Sequence, residues 1–137
     1  MAQPAQIARA KPLGATLRLD LHAVEAGVPV ATMSAFADSS GIAMKDLYDV
    51  VIPARTLKHR RARREPLSRD ESDKLARVVR IFDQTVRVFG DIDRARAWLE
   101  EPKRRFENRT PLQMLRTETG GRQVEEFLIQ IDEGMFA

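Results

Sequence analysis

Apolar side chains recur along this chain with the period of an α-helix, and no alternation typical of a β-strand extends beyond a few residues. In the first half the pattern predicts three short helices. The first begins at Pro29 and ends at Ser39-Ser40-Gly41, the second covers about residues 43–51 and is ended by Pro53, and the third covers residues 54–64. The chain is therefore predicted to be all-α.

The second half is predicted to begin with a long central helix. Ser68 and Glu71 have the spacing of a capping box at its start, and Gly90 is the expected stop. Its apolar stripe consists of Leu75, Val78, Val79, Phe82, Val86 and Phe89. We expect this helix to be the centre of the core.

Shorter helices follow. One is predicted over about residues 91–101 with Ile92 facing inward, and the next starts at Thr110, which forms a second capping box with Gln113. The run Thr119-Gly120-Gly121 predicts a turn, after which a last helix ends at Gly134. The other inward residues expected here are Ala95, Trp98, Leu99, Leu112, Leu115, Val124, Phe127, Leu128 and Ile131.

These elements divide the chain into a flexible tail over residues 1–27, a helix–turn–helix region over residues 28–67 and a C-terminal domain over residues 68–137. The tail lacks the apolar stretch of roughly 7–15 residues that a secretion signal requires. No apolar run approaches the roughly 18 residues that span a membrane, so no membrane partner is expected. The chain has no cysteine, which suits a reducing cytoplasm.

Positive charge is concentrated in one segment. Residues 55–64 hold six basic side chains and no acid, whereas residues 1–54 sum to −1 and residues 65–137 to −2, which gives the net charge of +3. A local excess of this kind indicates a local polyanionic partner.

The basic segment follows a short helix and the tight break at Ile52-Pro53, which is the pattern of a helix–turn–helix whose second helix enters the major groove of DNA. Leu57 is expected to face the core. The candidate DNA-binding residues are Arg55, Thr56, Lys58, His59, Arg60, Arg61, Arg63 and Arg64. From charge alone, a solvated arginine-rich helix without a ligand remains open as an alternative.

The carboxyl end is apolar where a chain terminus is normally polar and loose. Met135-Phe136-Ala137 lies beyond the expected helix end at Gly134, so these residues either fold back on the core or enter a partner. The residues alone do not separate the two.

The second half also resembles the toxin-binding domain of Xre-type antitoxins, the group that includes the MbcA and ParS proteins. The resemblance covers roughly residues 52–137, with tryptophan, prolines, glycines and leucines at matching spacings. It rests on Ile52–Arg60, Glu65–Ser68, Glu71–Leu75, Ala97–Leu99, Pro102, Thr110–Leu112, Leu115, Thr117, Gly120, Val124, Leu128, Ile131 and Gly134–Ala137. One departure is Phe106-Glu107-Asn108, where the family more often has leucine followed by glycines.

The resemblance implies an antitoxin that binds operator DNA as a homodimer on an inverted repeat. It also implies a RES-type toxin as partner, an NAD-consuming enzyme whose active site the antitoxin's carboxyl end blocks. The implied fold is an Xre-like helix–turn–helix joined to a small helical toxin-binding domain by the shared long helix. The residues expected to contact the toxin are Arg122, Glu126, Gln130, Asp132, Glu133, Gly134, Met135, Phe136 and Ala137.

Catalysis is not expected. His22 and His59 stand far apart without a paired ligand, and the chain has neither a glycine-rich phosphate loop nor a nucleophile elbow, so no metal or cofactor is predicted. A stand-alone helix–turn–helix transcription regulator with a dimerising C-terminal region is the main alternative. A basic RNA-binding or ribosome-associated protein is a more remote one.

Overall fold

Nine α-helices and one 3₁₀ turn, joined by short loops, make up the part of the chain that this computed structural model describes, residues 11–134. These residues contain no strand, only an isolated bridge between Lys103 and Arg109, and the predicted all-α class is confirmed. The helices are α1 (Leu13–Thr16), α2 (Leu21–Ala26), α3 (Val30–Ser40), α4 (Met44–Tyr48), α5 (Ala54–Ala62), α6 (Arg69–Phe89), α7 (Ile92–Glu100), α8 (Pro111–Met114) and α9 (Glu118–Asp132). The 3₁₀ turn covers Arg104–Phe106.

The long helix α6 organises the fold. The predicted capping box is present, with Ser68 Oγ accepting from Glu71 N and the Glu71 carboxylate accepting from Ser68 N, and Gly90 ends the helix at φ 94°. Phe82 is fully buried and meets Phe36 of α3 edge to face, with ring centroids 5.5 Å apart. Helices α1, α2, α7 and α9 also pack on α6, so one core serves both halves of the chain.

Helices α3, α4 and α5 form the predicted helix–turn–helix arrangement. Leu47, Ile52 and Leu57 are each at most 1% exposed, so the turn and the inner face of α5 are fixed to the core. The second helix is shorter than expected, because it ends at Tyr48 and Val51 is buried in the turn that follows.

Residues 11–27 differ from the flexible tail expected over residues 1–27. The Asp83 carboxylate accepts hydrogen bonds from the N–H groups of Leu13 at 2.8 Å and Gly14 at 2.9 Å, which fixes the first turn of α1 on α6. Asp20 caps α2 through Ala23 N. Asp83, which holds α1, is 70 residues away from Leu13 in the chain, so the local periodicity of residues 1–27 did not predict this helix. Residues 1–10 lie outside the described part.

The expected turn at Thr119-Gly120-Gly121 is wrong. Helix α9 begins at Glu118, with Thr117 Oγ1 accepting from Gly120 N at 3.0 Å, and both glycines are buried in its first turns. A Cβ at Gly120 would overlap the carbonyl oxygen of Met114, and one at Gly121 would lie 3.0 Å from Arg77 Cδ. The glycines are therefore needed for close helix packing rather than for a turn.

Helices α7 and α8 follow the prediction more closely. Thr110 and Gln113 form the second capping box, and Ala95, Leu99, Leu112 and Leu115 are buried, as expected. Ile92 is an exception, since it lies at the very start of α7, beyond the edge of the core, and is 40% exposed.

Candidate functional site

The outer face of α5 carries a dense set of exposed cations. Pro53 starts the helix with φ −61° and ψ 144°, and the buried Leu57 turns the remaining positions outward. Of the eight residues predicted to bind DNA, six are exposed, Thr56 is half-buried and Arg60 is partly covered. The exposed ones are Arg55, Lys58, His59, Arg61, Arg63 and Arg64. This face is able to receive a polyanion.

Arg60 is engaged inside the protein. Its Nε and Nη2 donate to the two carboxylate oxygens of Glu71, each at 3.2 Å, and its Nη1 lies 3.3 Å from Glu65 Oε2. The hydrogen bond to Glu71 and the charge of that carboxylate raise the pKa of the Arg60 guanidinium. Arg60 therefore ties the end of α5 to the start of α6, which its place in a run of basic residues did not reveal.

Glu71 has a double role in the same contact. Besides pairing with Arg60, it accepts a hydrogen bond from Ser68 N at 2.7 Å and so closes the capping box of α6. Burial alone would raise the pKa of this carboxyl, but the hydrogen bonds from Arg60 and from Ser68 N lower it below its usual range. The pair is ionised at neutral pH and braces the helix–turn–helix unit against the long helix.

The outward stripe of α9 contains the described part of the predicted toxin-binding residues. Arg122, Glu126, Asp132, Glu133 and Gly134 are exposed. Gln130 is half-buried, and its Oε1 accepts a hydrogen bond from Arg105 Nη1 at 3.1 Å. Gly134 adopts φ 75° just after the helix, which is consistent with the expected helix end. Met135, Phe136 and Ala137 lie outside the described residues.

Sequence reasoning missed Ile129, which lies three residues after Glu126 on the same stripe and is 49% exposed. It was overlooked because its neighbours Leu128 and Ile131 already accounted for the inner face. An exposed apolar side chain between acidic ones suits a contact with another protein, in which a central apolar residue is covered and charged residues form the rim.

The loop over residues 103–109 lies against α9. Phe106 is 3% exposed and meets Phe127 edge to face at 5.8 Å, while the guanidinium carbon of Arg105 lies 3.9 Å from the centre of the Phe127 ring. Glu107 and Asn108 both adopt left-handed backbone, with φ 57° and 64°. Those are the positions at which the sequence departs from the glycines of the family it resembles, so the loop keeps a glycine-like conformation without glycine.

Two arginines join the C-terminal region to the helix–turn–helix unit. Arg77 of α6 is 8% exposed and donates from Nη1 to the carbonyl oxygens of Leu115 at 3.0 Å and Arg116 at 3.3 Å. Arg116 Nε in turn donates to the carbonyl oxygen of Asp49, in the turn before α5, at 2.8 Å. The two surfaces are thus carried by one connected body.

Within residues 11–134, no three or more His, Cys, Asp or Glu side chains come together in a way that would hold a metal ion. None of the helices in that range is both long and apolar enough to cross a membrane.

Two family models match successive parts of the chain. One, described as the antitoxin Xre-like helix-turn-helix domain, matches residues 21–80. The other, described as the antitoxin Xre/MbcA/ParS C-terminal toxin-binding domain, matches residues 84–134. The first contains α5 and its cations, and the second contains α9 and the loop beside it.

Three curated relatives carry the name antitoxin Xre. The protein from Pseudomonas putida is 51% identical over 86 residues, which cover 63% of this chain and 54% of the relative. The one from Yersinia enterocolitica is 34% identical over 87 residues, covering 63% and 59%. The one from Photorhabdus laumondii is 32% identical over 111 residues, covering 80% and 75%. The chain therefore matches little more than half the length of the first two relatives.

Proposed function

This chain belongs to the Xre family of antitoxins, and we propose that it neutralises a RES-type, NAD-consuming toxin in the cytoplasm and represses its own operon by binding DNA as a dimer. The observation that carries the proposal is that one core presents two chemically different surfaces on separate helices. The cations of α5 suit a phosphate backbone, whereas Ile129 and the acids of α9 suit a protein. Neither surface resembles a catalytic site, so inhibition by occlusion is the proposed mode of action.

On the DNA side, Arg55 and Lys58 are the best candidates for direct contact. Both are exposed on the outer face of α5, and neither has an ion-pair partner among residues 11–134. Arg55 lies in the first turn of α5, where a recognition helix contacts base edges, and Lys58 lies one turn further on. Arg60 is not included, because Glu65 and Glu71 already hold it.

The test is binding of the full chain to DNA from upstream of its own gene, over a series of salt concentrations. Replacing Arg55 and Lys58 by alanine is expected to weaken binding and to reduce the slope of log K against log salt by roughly 0.9 for each lost phosphate contact. The matched control replaces the exposed Arg94 and Arg104 by alanine, which removes the same charge elsewhere. Equal affinities and equal slopes for parent, variant and control would contradict a role for α5 in DNA binding.

On the toxin side, we propose that α9 and the C-terminal tail, residues 133–137, together cover the NAD-binding cleft of the toxin. Phe136 would add buried contact area, and the exposed Glu126 and Glu133 would meet basic residues at the rim.

The measurement is NAD consumption by the toxin encoded beside this gene, with the antitoxin in excess. Deletion of residues 134–137 is expected to abolish inhibition while leaving the melting temperature of the free antitoxin nearly unchanged. Full inhibition by the deleted form would exclude the tail and assign the blockage to α9. Absence of inhibition by the parent chain would refute the proposed antitoxin activity toward that toxin.

A further inference from the structure

An open groove of about 730 Å³ lies beside the recognition helix, between α3 and the loop that follows α5. Its floor is apolar and built from small side chains, with Ala31 and Ala35 on α3 and Pro66 on the loop. Exposed charges flank it. They are Asp38 on α3 and Arg61 and Arg64 on the other wall.

The charges of opposite sign lie at opposite ends of the groove. Leu67 N donates to the carbonyl oxygen of Val28 at 2.9 Å, which places the loop after Arg64 at the N-terminal end of α3. Arg61 Nη2 donates to Ser34 Oγ at 3.3 Å, near the middle of α3. Asp38 lies one further turn toward the C-terminus and has no ion-pair partner among the residues the structure describes. Glu65 also lines the groove, but it is paired with Arg60. The charges without an ion-pair partner among the described residues are therefore Arg61 and Arg64 from the middle of α3 to its start and Asp38 toward its end.

We propose that this groove is occupied by α3 of a second copy of the chain, packed antiparallel about Ser34 and Ala35. In a two-fold interface the same surface meets itself, so the charge at one end of the surface faces the charge at the other end, and the two must be of opposite sign. Antiparallel α3 helices satisfy this requirement, because Asp38 of each copy comes to face Arg61 and Arg64 of the other. The small side chains at 31, 34 and 35 allow the two helices to approach to roughly 8 Å between their axes.

The interface would also orient the DNA-binding surfaces. Because Arg61 lies near the C-terminal end of α5 and contacts the middle of α3, a two-fold axis at Ser34 brings the C-terminal ends of the two α5 helices close to that axis. Their N-terminal halves, with Arg55 and Lys58, then point away from each other toward two half-sites. Dimeric helix–turn–helix proteins read half-sites about one helical turn of DNA apart in this way. The inference thus rests on the dimer of the proposed function and names its interface.

A charge exchange tests it. Asp38→Arg and the double change Arg61→Asp with Arg64→Asp each place like charges across the interface, and each is expected to raise the dimer dissociation constant by about tenfold or more. Mixing the two variants in equal amounts should restore a dimer, because Arg at 38 then faces Asp at 61 and 64, and the other half of the interface is unchanged. Sedimentation equilibrium of the full chains over a range of concentrations provides the measurement.

Charge-matched controls are available on other surfaces. Glu100→Arg matches the change at Asp38, and the pair Arg94→Asp with Arg104→Asp matches the double change; both should leave the dimer intact. Melting curves establish that every variant is folded. A parent chain that stays monomeric, variants that dimerise like the parent, or a mixture that stays monomeric would each overturn the assignment. Toxin inhibition by the same variants separates this failure from failure of the antitoxin activity, since α9 is untouched.

Discussion

Replacing Gly120 by alanine should destabilise this protein, although the same change in most helices is stabilising. Gly120 lies in the first turn of α9 and is not among the glycines with positive φ, so its backbone accepts any residue. In an unconstrained helix alanine is favoured over glycine by roughly 0.5–1 kcal/mol. Helix propensity alone therefore predicts that Gly120→Ala raises the free energy of unfolding.

Packing around Gly120 reverses the expected change, so that the substitution lowers the free energy of unfolding. A Cβ at Gly120 would overlap the carbonyl oxygen of Met114, a backbone atom at the end of α8 that cannot rotate away. Overpacking of a tight contact costs about 1–3 kcal/mol, and here the whole start of α9 must move away from α8. The net loss is therefore expected to be about 1–2 kcal/mol, which for a chain of this length lowers the melting temperature by roughly 3–10 °C.

Thermal melts of the parent and of Gly120→Ala decide the matter. The control is Ala97→Gly at an exposed position of α7, which should cost about 1 kcal/mol and show that helix propensity has its ordinary effect in this chain. A Gly120→Ala protein that melts above the parent would refute the reasoning and place α8 and α9 further apart than described.

Three further outcomes are expected. Phe82→Ala should cost about 3–5 kcal/mol in thermal melts, because the ring is fully buried; a negligible shift would mean that α6 is not the centre of the core. Glu107→Gly should raise the free energy of unfolding, measured by urea titration, by about 0.5–1 kcal/mol, whereas Glu107→Ala should not raise it. The gain is the left-handed penalty of roughly 1–2 kcal/mol less the backbone entropy that glycine loses on folding. The pKa of Glu71 is lowered in the folded protein, so its pairing with Arg60 stabilises the fold fully above the unfolded pKa of about 4.3. This stabilisation is lost as the pH falls through the lower pKa of the folded state. The difference in free energy of unfolding between the parent and Glu71→Gln should therefore shrink below about pH 4.3, and a difference that stays constant with pH would contradict the pairing.

The features that were predictable from sequence are those decided within a few residues. The capping boxes at Ser68 and Thr110 need only a partner three positions away, and the long apolar stripe repeats the same local rule over many turns. Leu57 was placed correctly because it is the only apolar residue of the basic helix besides alanines. The all-α class follows from these local signals together.

The errors concern residues whose environment comes from distant parts of the chain. Gly120 and Gly121 have the composition of a turn, but their size is required by Met114 and Arg77. Helix α1 depends on Asp83, and nothing near residue 13 indicates that partner. Arg60 looked equivalent to its basic neighbours until the fold brought Glu71 opposite it.

The two surfaces of this chain cannot be treated as independent domains joined by a linker. The carbonyl oxygens of Leu115 and Arg116, just before α9, are held by Arg77, which belongs to the same helix that closes the helix–turn–helix unit. Arg116 in turn donates a hydrogen bond to the carbonyl oxygen of Asp49, in the turn that precedes α5. Removing the C-terminal region would leave the Arg77 guanidinium, now 8% exposed, without the carbonyl groups it binds, and would uncover the apolar face of α6. If the proposed toxin contact on α9 is correct, the toxin binds a body whose parts also position α5, so the proposed binding of DNA and of toxin must both be measured on the whole chain.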